Sequence, residues 1–392
     1  MTLTDILTVG FQGGASDIHL KVGLPPMFRI NGSLVALKNA ERLSPEALRL
    51  MTEDILNERQ KQTLAETLEV DLAYGIAGVG RFRLNIYHQR GTLGMAIRVI
   101  PMDVPTIEEL QLPKVVNKIA EFRRGLVLIT GTTSSGKSST LAGMINHLNH
   151  TRTCHIMTIE DPIEYLIRDK RCMINQRELG MDTLSFAKAM KSAMRQDPDV
   201  ILIGEMRDLE TIEIAISAAE TGHLVLSTLH TLDAAETINR IVSSFPPHQQ
   251  KSMRQQLASI LKAVISQRLV PRADEKGRVP AVEIMLATNR IKELMTDENR
   301  INELRQAISE GHKAYGMQTF DQSLMALYRE GMISFEEAMN QATNPADFEL
   351  RLKGITSTSD GRWDDFESTK LKNEEEDVME GELISEDDIN ID

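Results

Sequence analysis

The chain has 392 residues, 41% of them hydrophobic and 4% aromatic, enough for two domains at roughly 100–200 residues each. No apolar run reaches about 18 residues, which argues against a membrane-spanning helix, and MTLTDILTVGFQGG lacks the basic start of a secretory signal. Fourteen acids against three bases between Ser357 and Asp392 place −11 of the net charge of −13 in the last stretch. The rest of the chain is nearly neutral and offers no broad basic surface for nucleic acid. Two cysteines, Cys154 and Cys172, with no Cys-x-x-Cys, exclude a thiolate zinc ribbon and a disulfide framework and read as reduced, buried thiols.

Residues 1–100 predict a small α/β domain. A helix over Thr4–Phe11 ends at Gly13-Gly14. Short β-like runs follow, SDIHLKV, PMFRI and LVALK, separated by Pro25-Pro26 and Asn31-Gly32. Ser44 and Pro45 open a helix as N-cap and N1, and a second helix spans Glu58–Glu66. In RFRLNIYHQR, Phe82, Leu84 and Ile86 alternate with Arg81, Arg83, Asn85 and Tyr87, the period of a half-buried strand. Residues 101–112 read as a short hinge restricted by two prolines. From 113 to 355 the apolar runs LVLIT, HIMTI, VILIG and LVLST alternate with helices or polar loops, as in a mostly parallel sheet. Residues 245–355 are expected to be largely helical, with a β segment at RVPAVEIML. From 356 to 392 the polar, acidic composition predicts disorder.

The strongest signal is Gly131-Thr132-Thr133-Ser134-Ser135-Gly136-Lys137-Ser138, between the strand LVLIT and the helix STLAGMINHLN. It fits G-x-x-x-x-G-K-[ST], whose glycines turn backbone N–H groups around phosphates while the following helix points its positive end at the same anion. Lys137 should reach the β- and γ-phosphates, and the Ser138 hydroxyl should ligate Mg²⁺. The segment Thr158–Tyr165 then places Glu160, Asp161 and Glu164 after an apolar strand, where a water-orienting group is needed. Asp199–Asp208 is another strand ending in an acid. Gly204 stands where many ATPases carry Asp, so Glu205 is expected to act alone or through water. Finally, Thr221–Thr231 puts His223 and His230 at the two ends of one more buried strand.

In order and spacing, GTTSSGKSS, TIEDPIEY, DVILIGEMRD and TGHLVLSTLHT resemble the Walker A, Asp box, Walker B and His box of secretion and pilus ATPases. ASDIHL, GRFRLNIYHQRG, QRLVPR and GMQTFDQSL resemble segments of the PilT/PilU retraction branch, so the resemblance covers about residues 4–355. It implies a PAS-like N-terminal domain, a RecA-like C-terminal ATPase domain, and a homo-hexameric ring at the cytoplasmic face of the inner membrane. ATP and Mg²⁺ would lie between the domains, and hydrolysis would turn an inner-membrane platform protein so that pilin leaves the filament. It nominates Glu164 as general base, Glu160 and Asp161 as supporting acids, Glu205 as the Walker-B acid, and Ser139 and His230 beside the nucleotide. Arg81, Arg83 and Arg98 become candidates for reaching the γ-phosphate, and Arg207, Arg240 and Arg278 for the ring interface. The stretch NRIKELMTDEN departs from the retraction-motor pattern and the acidic tail is an extension, which tilts the resemblance toward a PilU-like accessory working with a PilT-type partner. An extension or secretion ATPase, and a nucleotide switch without turnover, are the alternatives.

Overall fold

The structure, a computed structural model, describes residues 1–352; the expected acidic tail lies outside them. The first sheet is built from β1 (Asp17–Lys21), β2 (Met27–Ile30), β3 (Ser33–Ala36), β4 (Glu69–Ile76), β5 (Gly80–Gln89) and β6 (Thr92–Ile100). Its order is β3-β2-β1-β6-β5-β4, antiparallel throughout. The alternation in β5 sends Phe82, Leu84 and Ile86 into a core closed by Ile6, Leu48 and Leu64 of three helices, each side chain contributing about 1.5–3 kcal/mol by leaving water. The helices begin where their capping residues dictate. Thr2 and Asn57 form capping boxes, and the Ser44 hydroxyl accepts from the Ala47 amide. The opposite face of the sheet is polar and carries Arg83 and Arg98 as register partners.

The second sheet comprises β7 (Gly125–Thr130), β8 (His155–Glu160), β9 (Met173–Glu178), β10 (Val200–Ile203), β11 (Leu224–Leu229), β12 (Leu261–Pro271) and β13 (Arg278–Leu286). The order is β13-β12-β7-β11-β10-β8-β9. All pairs are parallel except β12 with β13. Every residue of β7, β10 and β11 is buried, because helices cover both faces. The 101–112 stretch sends Ile107 and Leu112 into one of these cores, beside Val116 and Leu141, and leaves Pro101, Asp103, Glu108, Glu109 and Gln111 exposed.

Two strands depart from the sequence reading. The 245–355 region is helical first but contains β12, which follows the helix Pro247–Ile260 with no intervening turn. β9 is a polar edge strand that no apolar run announced. Cys154 and Cys172 are free thiols, with sulfurs 3.4 Å apart.

Candidate active site

Four loops meet at the carboxyl ends of β7, β8, β10 and β11, around a cavity of about 370 Å³, the edge at which parallel sheets collect ligands. The loop after β7 is shaped by its glycines. Gly131 has φ +142° and Gly136 φ +92°. A Cβ at Gly131 would sit 2.3 Å from the Gln267 carbonyl, and one at Gly136 2.6 Å from the Gln267 side-chain nitrogen. Thr140 fixes that amide by donating to Gln267 Oε1 at 2.7 Å. The helix Lys137–Thr151 starts at Gly136 with no side-chain cap, so its first N–H groups stay available to an anion. Ser135 Oγ is buried with no hydrogen-bond partner. Lys137 Nζ donates to the carbonyls of Gly131 and Thr132, each at 2.8 Å. Burial holds its pKa below the ordinary lysine value, while Glu205 and Glu164 pull it back up. Open backbone donors, an orphaned hydroxyl and a half-desolvated ammonium together fit a polyphosphate.

Thr133, Ser134, Lys137 and Ser138 line the cavity. Gly131, Thr132, Ser135 and Gly136 form the loop beneath it. Ser139 is not among the lining residues but pairs with the hydroxyl of Tyr165, which is, at 2.9 Å.

The carboxylates come from two strand ends. Glu160 closes β8, where Oε1 accepts from Thr158 at 2.5 Å and from Gln176 at 3.0 Å. Burial pushes its pKa up, the two hydrogen bonds oppose the shift, and nearby Glu164 adds to it. Asp161, Pro162, Glu164 and Tyr165 form the next wall, and the Asp161–Pro162 peptide is cis. Glu205 follows β10. It accepts from Arg207 Nε at 2.8 Å and lies 3.2 Å from His230 Nε2. Gly204 packs closely, since a Cβ there would approach Ile159 O at 3.3 Å and Glu160 Cα at 3.4 Å.

Several nominated residues are elsewhere in the single chain. Arg81 Nη2 pairs with Glu178 Oε2 at 3.0 Å, because β5 faces the edge strand β9 rather than the cleft. Arg83 lies in a separate hollow on the polar face of the first sheet with Asp17, His19 and Arg98, and Arg98 is paired with Asp17 at 3.0 Å. His223 immediately precedes β11, its ring nitrogen bonded to the Ala218 carbonyl at 2.9 Å. The strand places it roughly 20 Å from the His230 end. Sequence reasoning gave no part to Gln267, Tyr165 or Gln176, all of which hold the site together. Their roles depend on strand neighbours far away in sequence, and no local spacing signals them.

Residues 2–362 match the family model described as type II/IV secretion system protein. The chain is 45% identical over 348 residues to the type IV pilus retractation ATPase PilT of Pseudomonas aeruginosa, covering 89% of this chain and 100% of that protein. It is 40% identical over 360 residues to the type IV pilus ATPase PilU of the same organism, covering 92% and 93%. A crystal structure of the pilus retraction motor PilT with bound ADP superposes with a TM-score of 0.81 at 45% identity, covering 89% of this chain and 99% of that one. With a glycine-lined loop, an ammonium and facing carboxylates at one sheet edge, and these relatives matched along nearly their whole length, the chain belongs to the type II/IV secretion ATPase family, in its PilT/PilU branch, and is an ATPase.

Proposed function

We propose that this ATPase drives retraction of type IV pili, and the observation that carries the reading is the convergence of Glu164 and Glu205 on the Lys137 cleft. ATP supplies the γ-phosphoryl group whose cleavage releases the free energy. Residues 131–139 wrap the phosphates with backbone N–H groups, and Lys137 shifts its proton donors from the Gly131 and Thr132 carbonyls to phosphate oxygen. Mg²⁺ would be held by the Ser138 hydroxyl, with Glu205 and Glu160 on the facing wall near enough to act through water, and would supply neutralisation of the phosphate charge. Glu164, exposed at the cavity wall, orients and deprotonates the attacking water. His230, held beside Glu205, reports the state of that carboxylate to the helix Ala234–Ser243.

Arg81 and Arg83 take part from a neighbouring subunit of a hexameric ring. Both lie on the polar face of the first sheet, where Arg83 is exposed, and Arg81 exchanges its own-chain partner Glu178 for phosphate. An arginine supplied in trans contributes on the order of 10³–10⁵ in rate. The ring sits at the cytoplasmic face of the inner membrane and binds it only through a platform protein; among the described residues no helix is long and apolar enough to cross a membrane. The PilU-like reading adds a PilT-type partner ring.

The test is a pilus-retraction assay in a deletion strain complemented with wild type or Lys137→Ala. Wild type should restore full retraction force and the variant should not. Retraction force that is unchanged by the deletion would reject the reading.

A further inference from the structure

Gln176 belongs to the edge strand β9 and lies outside the cavity lining, yet its side chain spends every hydrogen-bonding group on the segment that carries the acids. Its Oε1 accepts from the Ile167 amide at 2.8 Å. Its Nε2 donates to the Tyr165 carbonyl at 2.9 Å and to Glu160 Oε1 at 3.0 Å. Two donors and an acceptor are thereby satisfied on three residues of one loop. The Tyr165 hydroxyl in turn meets Ser139, the first residue after the phosphate loop's Lys137-Ser138 pair, at 2.9 Å. On the other side, the Ile163 amide faces Glu178 Oε2 at 3.4 Å. Glu164 is therefore bracketed by anchored residues at 163 and 165, both fixed by side chains of β9.

We propose that Gln176 is a positioning residue for ATP hydrolysis, clamping the 160–167 loop so that Glu164 faces the γ-phosphate side of the cleft. The inference rests on the ATPase reading of that cleft and on Glu164 as the base, not on pilus retraction. A residue that merely filled the gap beside β9 would need volume, not a matched set of donors and acceptor. The set serves the loop geometry, and a base displaced by about 1 Å loses on the order of 100-fold in rate. Nucleotide affinity depends on the loop after β7, which Gln176 does not touch.

The discriminating experiment uses the full chain and compares wild type, Gln176→Met, Glu164→Gln and the double variant. Steady-state ATPase with magnesium gives kcat and KM, and a fluorescent ADP analogue gives affinity. Gln176→Met keeps the volume and removes all three bonds. It should lower kcat about 30- to 100-fold with ADP affinity within about 3-fold of wild type. Glu164→Gln carrying Gln176→Met should be no more than about 3-fold slower than Glu164→Gln alone, because both changes disable one function. Gln176→Leu, which can neither donate nor accept, should behave like Gln176→Met and serves if that variant folds poorly. A kcat within 3-fold of wild type, a loss of ADP binding in proportion to kcat, or fully additive losses in the double variant would each overturn the assignment. The ADP measurement keeps this outcome separate from a failure of the retraction assay.

Discussion

Arg81 and Glu178, 97 residues apart in the chain, form a 3.0 Å ion pair that joins the first sheet to the edge of the second. The accepting oxygen, Glu178 Oε2, is also the one faced by the Ile163 amide, so the first domain holds the loop one residue before Glu164. Glu178 is nearly inaccessible at 8% and Arg81 is partly covered at 25%. Arg81→Ala should lower unfolding free energy by about 1–3 kcal/mol, because a buried carboxylate loses its charged donor. Urea denaturation measures it, and Glu178→Gln, which leaves a neutral acceptor in place, should cost less.

Lys137→Ala removes the one ammonium aimed at the phosphate chain. Loss of a preorganised donor of this kind costs roughly 10²–10³ in kcat. The lost bonds to the Gly131 and Thr132 carbonyls should lower the melting temperature modestly, while ATP turnover falls far more. A turnover within a few-fold of wild type would contradict the site.

Gly131→Ala tests the loop's shape rather than its charge. The new methyl would press on the Gln267 carbonyl, a backbone atom with little freedom, at a φ of +142°. Strain of about 1–3 kcal/mol is expected, with ADP affinity reduced at least as strongly as stability. Calorimetric titration with ADP beside a thermal melt separates the two.

Stability should fall as pH rises through a window set by Glu283. Burial raises this carboxyl from 4.5 to about 7, the Ala234 amide opposes the shift, Asp233 adds to it, and Arg305 and Arg268 oppose it. Between those values the folded chain keeps a proton that the unfolded chain has released. Folding therefore loses roughly 3 kcal/mol from this group across the interval, the loss being complete above the folded value. Glu283→Gln abolishes the titration, so its urea midpoint should change less than that of wild type between pH 5 and pH 7.5. Parallel slopes would reject the role.

The elements most legible from sequence were those with local causes. Ser44 caps its helix through the Ala47 amide at 3.1 Å, the β5 alternation follows from one wet face, and the glycine-rich loop advertises itself by the residues its torsions require. β12 was hidden because the helix Pro247–Ile260 runs into it without a glycine or proline. Pairing with β7 and β13, not local preference, makes Leu261–Pro271 a strand. β9 was hidden because, as the edge strand, it leaves Met173 and Asn175 exposed and Gln176 and Arg177 half-buried, so the apolar run that marks a buried parallel strand is missing. The anchors of the candidate site, Gln176 and Gln267, sit on these two strands and were hidden with them. Arg81 shows the reverse limit: its type and strand face were readable, but its partner within the chain, Glu178, could not be.

The absence of a side chain at position 204 has a consequence for redesign. The Gly204 amide donates to the Ile159 carbonyl at 2.8 Å, which holds the ends of β8 and β10 so close that an added Cβ would be tight against the β8 backbone. A side chain there would have to push the Ile159–Glu160 backbone back by a few tenths of an ångström, and with it the residue that carries one of the site's acids. The close spacing of these two strands is thereby part of how Glu160 and Glu205, from neighbouring strand ends, come to face one cavity.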